Sequence, residues 1–274
     1  KRWGDACQYV AANYGDTPPD VTNLAVLIVD FSYKRRVLEE MASRAAGIIV
    51  LDHHESARDD LAPYTVKSGP ALTADNANGA LRALTGWRGP EIVAAFDMQR
   101  SGAGMAWSFC HPKKPEPLLI ALVEDRDLWR FTYEATRPFG LWLYSEPFDF
   151  TRWDWISDEI ERPFGNDIWR EATAMQRFYD GKIAEIGGYA HRRTIGDHEA
   201  VVVSCPPMFK SEMGHWLLET HPDAPFAATF YDTGTARLWS LRGRDDGLAV
   251  SKIAEQFGGG GHRNAAGFKE TVAP

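Results

Sequence analysis

Two short apolar runs, each closed by an acid, organise the first part of the chain. Residues 24–29 read Leu-Ala-Val-Leu-Ile-Val and end at Asp30, and residues 47–51 read Gly-Ile-Ile-Val-Leu and end at Asp52. A run that is apolar throughout, rather than at alternate positions, predicts a strand buried on both faces of a parallel sheet. Between the two, Ser32 is placed to cap a helix on which Val37, Leu38, Met41 and Ala45 recur at helical spacing. The pattern is therefore strand, helix, strand, with polar residues at both carboxyl ends. In open α/β sheets ligands gather at that edge, which marks it as a candidate site. Residues 92–96, ending at Asp97, predict a further strand, and a helix follows from about Ser101.

Residues 115–129 predict a helix with Leu118, Leu119, Leu122 and Val123 on its apolar side, and an aromatic-rich stretch then runs from Trp129 to Trp155. A long helical pattern from 167 to about 192 reads as a connector. Beyond it the texture changes: residues 200–204, 226–231 and 236–241 predict strands, and 208–219 and 250–257 predict helices. The expected architecture is α/β throughout. An N-terminal parallel-sheet domain covers residues 1–160, a helical linker 161–194, and a smaller C-terminal α/β domain 195–274, with the boundary near 190–195.

Composition narrows the class. A chain of 274 residues with 44% hydrophobic and 25% charged positions is globular, which excludes a disordered or fibrous protein. Its apolar runs are far shorter than a bilayer span, and Lys1-Arg2-Trp3-Gly4-Asp5 does not open a secretory signal. Cys7, Cys110 and Cys205 are widely separated, odd in number and match no zinc spacing, so free thiols in a reducing cytoplasm are expected. The net charge of −8 argues against coating duplex DNA through a large basic face, but is compatible with a small phosphate-bearing ligand in a local pocket.

Asp52-His53-His54-Glu55-Ser56 follows the second strand directly. Neutral imidazole and carboxylate are suitable ligands for Mn²⁺, Mg²⁺ or Zn²⁺. A solvent-facing polar loop would show the same residues, but Asp30 closes a neighbouring strand, and adjacent strand ends lie about 5 Å apart. Two acids and two histidines at one sheet edge favour a metal site. A second signal is the run Gly258, Gly259, Gly260, Gly261, His262, Arg263. Such glycines let backbone N–H groups approach an anion, a helix is expected to begin at their end, and His262 and Arg263 add charge-assisted donors to a phosphate. Arg242, at the end of a strand, is either a further guanidinium for that anion or an ordinary surface arginine.

Leu51-Asp52-His53-His54-Glu55 and residues 258–268 resemble the two signatures of the DHH phosphoesterase superfamily, and they occur in that family's order. The family includes RecJ-type exonucleases, nano-RNases, cyclic-dinucleotide phosphodiesterases and family II pyrophosphatases. The resemblance implies an N-terminal domain carrying two metal ions, normally Mn²⁺ with Mg²⁺ as the substitute, and a smaller DHH-associated domain that grips the substrate's phosphate. It implies that Asp30 bridges the metals, that His53 is a ligand with Asp52 behind it, and that His54 faces the substrate or supports the site, with His54 and Asp52 as the catalytic residues. Asp125 resembles the acid of the fourth motif, with Asp127 as the alternative and a simple pairing of either with Arg126 or Arg130 as the plainer one. Arg100, in Arg100-Ser101-Gly102-Ala103, either touches phosphate or caps the following helix. Gly259, Gly260, Gly261, His262, Arg263 and Arg242 are the implied substrate contacts.

One departure stands out: the family's first motif, a His-x-Asp-x-Asp-Gly-like loop, is absent. Residues 1–14 resemble the tail of the helix that follows it, so residues upstream of Lys1 are expected to complete the site. The implied activity is metal-dependent hydrolysis of a short oligonucleotide or related small nucleotide phosphoester by two-metal activation of water. The runs Arg-Ser-Gly-Ala at 100–103 and Glu-Asp-Arg-Asp-Leu-Trp at 124–129 look most like the nano-RNase branch. The alternatives are a pyrophosphatase or exopolyphosphatase, and a non-catalytic nucleotide-binding protein with an incomplete metal site. The expected partners are that substrate and, as an open alternative, a second copy of the chain. The aromatics from Trp129 to Trp155 could stack on unpaired bases, at about 1–3 kcal/mol each, but packing between domains is the commoner use.

Overall fold

The computed structural model describes residues 7–13, 16–66, 72–75, 92–162 and 167–271. The three predicted strands form β1 (Ala25–Val29), β2 (Gly47–Asp52) and β3 (Ile92–Phe96). They pair in parallel in the order β1-β2-β3, with Val29 opposite Leu51 and Leu51 opposite Ala95. Isoleucine and valine suit this pleated, packed surface. The central strand β2 is buried at every position but Ile49. The edge strand β1 departs from the expected two-sided burial: only Ile28 is buried and Val29 is 42% exposed. The reason is its position, because among the described residues β1 has a partner on one side only.

Helix α1 (Arg35–Ala42) sets Leu38 and Met41 into the core with Ile48, Val50 and Ile92. Ser32 does not cap it: Lys34 precedes the helix, and the Ser32 hydroxyl donates to the Tyr33 carbonyl at 3.0 Å. A short helix α2 (Arg58–Leu61) follows β2. Helix α3 (Gly102–Cys110) is capped by Ser101, whose hydroxyl accepts from the Gly104 N–H at 3.0 Å, and its Met105 and Phe109 pack with Leu51. After helix α4 (Leu118–Asp127), helices α5 (Thr136–Leu143) and α6 (Phe150–Ile160) and the segments leading into them carry the aromatic stretch. Phe139 and Trp142 are buried there, whereas Tyr144, Phe148 and Phe150 stay exposed. Residues 8–13 form no helix, and residues 1–6 and 14 of the expected helical tail lie outside the described residues.

The chain divides into two compact units, residues 1–173 and 174–274, and the division falls inside helix α7 (Asp167–Gly187). The second unit holds strands β4 (His191–Ile195), β5 (His198–Ser204), β6 (Ala227–Asp232), β7 (Ala236–Arg242), β8 (Gly260–His262) and β9 (Ala265–Thr271). Their order is β4-β5-β6-β7-β9-β8, antiparallel except for β5 beside β6. Helix α8 (Lys210–Thr220) lies between β5 and β6 in sequence, and α9 (Val250–Glu255) seats Val250 and Ile253 among Phe226, Trp239 and Leu241. The glycine run does not open a helix, as its sequence suggests, but turns into the β8–β9 hairpin. Gly261 has φ 143°, and a Cβ there would stand 2.5 Å from the Ala265 carbonyl oxygen, so the close strand approach requires glycine. Among the described residues no helix is long and apolar enough to cross a membrane.

Candidate metal centre

The parallel register brings the ends of β1 and β2 side by side, and the Asp30 N–H donates to the Leu51 carbonyl at 2.9 Å. Asp30 takes φ 56°, a left-handed conformation that Asp tolerates better than most residues and that turns the chain out of the strand. His53, the first residue beyond β2, places Nε2 3.0 Å from Asp30 Oδ1 and 3.4 Å from Asp127 Oδ2. His54 follows with its ring centroid 4.5 Å from that of His53. One donor atom each from Asp30, His53 and His54 lies within 4.8 Å of the others. Two ligand atoms about 2.1 Å from a shared ion stand about 3–4 Å apart, so the separations of 3.0 and 3.4 Å around His53 suit divalent coordination.

Asp52 is fully buried. Its Oδ1 accepts from the His53 N–H at 2.8 Å and the His54 N–H at 3.2 Å, and meets His54 Nδ1 at 2.7 Å. Asp52 therefore stands behind His54, not behind His53 as the resemblance implies, because its Oδ1 is drawn over the two N–H groups that follow it and so meets the His54 ring. Asp52 Oδ2 is buried without a hydrogen-bond partner among the described residues, an energetically exposed position for a carboxylate oxygen. A carboxylate-rich corner with imidazole nitrogen and an orphaned buried oxygen fits a hard or borderline divalent cation such as Mn²⁺ or Mg²⁺.

The electrostatics agree. The hydrogen bond to Asp30 raises the His53 pKa, with Asp127 adding to it and burial opposing it. The hydrogen bond to Asp52 likewise raises that of His54 against burial. Burial raises the Asp127 carboxyl, the nearby histidines offset part of that, and the Asp30 charge adds to it. The corner concentrates negative charge that either protons or a metal can neutralise.

Asp127, not Asp125, reaches this corner. Helix α4 buries Leu119, Leu122 and Asp125, a three-residue spacing that turns Asp125 into the interior. Asp125 Oδ1 accepts from the Thr132 N–H at 2.9 Å, and Oδ2 from the Tyr133 N–H at 3.3 Å and from the Thr136 hydroxyl. Burial pushes its pKa up, but these donors outweigh it and hold the carboxyl below its usual range. Its oxygens are committed to the fold. Two residues on, Asp127 is 41% exposed and free of that packing.

Arg100 is engaged elsewhere. Its Nε lies 3.0 Å from both Glu124 oxygens, and one terminal nitrogen lies 3.1 Å from Glu116. Glu124 also accepts from the Ser101 N–H at 2.9 Å. The group ties the start of α3 to α4, which carries Asp127.

In the second unit a cleft of about 490 Å³ is lined by Lys210, Tyr231, Ser240, Arg242, Gly260 and Gly267 among others. Arg242 donates to the Ser211 hydroxyl at 2.8 Å and to the Leu241 carbonyl at 2.9 Å, and burial lowers its pKa. Its hydrogen bonds go to neutral groups, and the Glu212 charge offsets part of the effect of burial. Of the glycine run, Gly260 lines this cleft. Gly259 passes close under β9, where a Cβ would stand 2.2 Å from the Gly267 carbonyl oxygen. His262 is exposed on β8, and Arg263 donates to the Gly247 carbonyl at 3.0 Å; neither lines the cleft. Lys210 has no motif around it and becomes visible only as a lining residue of the cleft that Arg242 shares.

No family model matches the chain. Over 252 residues it is 30% identical to an uncharacterized protein of Acanthamoeba polyphaga mimivirus; the match covers 90% of this chain and 53% of that protein, so the chain spans about half the length of this relative. Among solved structures, a pGpG-specific phosphodiesterase from Vibrio cholerae aligns at TM-score 0.43 and 11% identity, over 91% of this chain and 94% of its own. An exopolyphosphatase-related protein from Bacteroides fragilis aligns at TM-score 0.38 and 16% identity, over 91% and 67%. An uncharacterized protein from Helicobacter pylori aligns at TM-score 0.33 and 14% identity, over 91% and 78%.

Proposed function

We propose that the chain is a metal-dependent phosphoesterase of the DHH type that hydrolyses a short oligonucleotide or a related small nucleotide phosphodiester. The observation that carries this reading is the convergence of Asp30, His53, His54 and Asp127 at one sheet edge, with Asp52 buried behind His54. Asp30, His53 and Asp127 would hold Mn²⁺, with Mg²⁺ as the substitute. When bound, the ions supply positive charge that polarises a phosphoryl oxygen and lowers the pKa of water. Asp52 meets Nδ1 of His54 and orients that imidazole beside the proposed ions. The left-handed turn places Asp30 at the end of β1, where its carboxylate already meets His53 before substrate arrives. In the second unit, Arg242 and Lys210 offer cationic donors to a phosphate, beside Ser240 and Gly260.

The test strips the protein with chelator and returns Mn²⁺ or Mg²⁺ before assay on a dinucleotide, polyphosphate and bis-(p-nitrophenyl) phosphate. Metal-restored hydrolysis of the dinucleotide, abolished in a folded His53→Ala variant, is the expected result. Hydrolysis of polyphosphate alone would replace the substrate class. Absence of both metal binding and hydrolysis would defeat the reading.

A further inference from the structure

Just beyond the metal corner, two aromatic residues hold a backbone shape that aromatics avoid. Trp129 and Phe131 have φ of 56° and 50°. In this left-handed region a bulky side chain crowds its own backbone, and Gly, Asn and Asp are preferred. The shape is enforced from behind. Asp125 accepts from the N–H groups of Thr132 and Tyr133 and from the Thr136 hydroxyl, while the Arg130 N–H donates to the Asp125 carbonyl at 2.9 Å.

Within the loop the two rings meet edge to face, with centroids 4.8 Å apart and planes at 78°. The Arg137 guanidinium lies 3.9 Å over the Phe131 ring and 6.0 Å from that of Trp129. Both rings are only partly buried, and neither belongs to the core. A buried carboxylate, and not burial of the rings themselves, maintains this unfavourable backbone. Backbone strain of this sort is characteristic of functional sites. The position supplies the function: Trp129 lies two residues after Asp127, so their Cα atoms are within about 7 Å, and Asp127 is at His53.

We propose that Trp129 and Phe131, backed by Arg137, form the platform on which a nucleobase next to the scissile phosphate stacks. Every base presents a π-face, so the platform selects for a base without selecting which base, and the guanidinium polarises the stack. The proposal rests on the phosphodiesterase reading and sharpens it: the substrate carries a base near the cleaved bond, and a polyphosphate would gain nothing here.

The variants exploit the backbone. Asn accepts φ near 55°, so Trp129→Asn and Phe131→Asn remove a ring while suiting the turn. Each is compared with the unaltered protein on a dinucleotide and on an analogue lacking the base. Two readouts are taken: KM with Mn²⁺, and calorimetric affinity in chelator, where no hydrolysis occurs. The expected result is a rise of about tenfold in KM and Kd for the dinucleotide, no change for the abasic analogue, no loss of thermal stability, and recovery by Trp129→Phe. Equal weakening toward both ligands, unchanged dinucleotide binding, or a loss of stability that Trp129→Phe does not restore would each overturn the platform. If no phosphoester is hydrolysed at all, the phosphodiesterase reading fails, and the difference in affinity between the two ligands still decides the platform.

Discussion

The Cβ that Gly102 lacks would stand 2.3 Å from the Cβ of Asp30 and 2.5 Å from its Oδ1. The start of α3 is thus packed directly against the acid at the end of β1, and the metal corner has a wall that admits no side chain. Gly102→Ala should destabilise by about 1–3 kcal/mol through overpacking, outweighing the roughly 0.5–1 kcal/mol that alanine gains over glycine in a helix. Mn²⁺ affinity should fall with it, since Asp30 must move. Thermal unfolding and calorimetry on the same preparation check both; a variant with unchanged metal affinity would show that Asp30 is not a ligand.

Asp125 and Asp127 should separate cleanly on substitution. Asp127→Asn removes a charge from a partly exposed position, so the fold should survive while Mn²⁺ binding weakens at least tenfold. Asp125→Asn disturbs a buried carboxylate with three donors and should lower stability by about 1–3 kcal/mol. Should Asp125→Asn lose metal without losing stability, the roles given to the two acids are reversed.

The metal-free protein should become less stable as pH rises through neutrality. His53 and His54 have folded pKa values raised above the usual 6.5 by Asp30 and Asp52. A group raised in the folded state stabilises fully below its unfolded pKa, and that contribution disappears as pH climbs through the folded value. Asp127, also raised, acts in the same sense at lower pH. Asp125 is lowered, so its contribution is present above the unfolded carboxylate value and disappears only in strong acid. Mn²⁺ competes with the histidine protons and should bind more tightly as pH rises. The melting temperature of chelated protein should fall between pH 6 and pH 8 while that of Mn²⁺-loaded protein does not; parallel curves would count against the histidines as ligands.

Gly260 tests the second unit. A Cβ at this position meets nothing within 4 Å, so Gly260→Val fits the fold yet fills part of the cleft that Arg242 and Lys210 line. It should raise KM by about tenfold, as should Arg242→Ala, with Mn²⁺ affinity unchanged in both. Loss of metal in either variant would place a ligand in this unit and end the proposed division of roles.

Much of this was legible in the residues. Runs of Ile and Val closed by acids marked β1 and β2, and parallel pairing then placed Asp30 beside His53 without further information. What escaped depended on contacts across the chain or on local turns. The choice between Asp125 and Asp127 turned on which face of α4 is buried, although the spacing of Leu119, Leu122 and Asp125 already carried that signal. Asp52 pairs with the second histidine because its Oδ1 takes the two N–H groups that follow it, a local contact that no motif encodes. Arg100 is drawn to Glu124 and Glu116, acids on other segments, and Lys210 shares a cleft with Arg242 only through the position of α8. The glycine run turned into a hairpin because Gly261 adopts a φ that lets β8 close on β9.

The left-handed turn at Asp30 also restricts how this chain can drift. Glutamate, the usual neutral exchange for aspartate, keeps the charge but fits that backbone poorly and reaches one methylene too far. Asparagine and glycine keep the turn and lose the charge. Sequence change at this position therefore removes the carboxylate of the proposed metal centre more easily than it disturbs the fold, and a descendant that lost Asp30 would keep the turn without the charge.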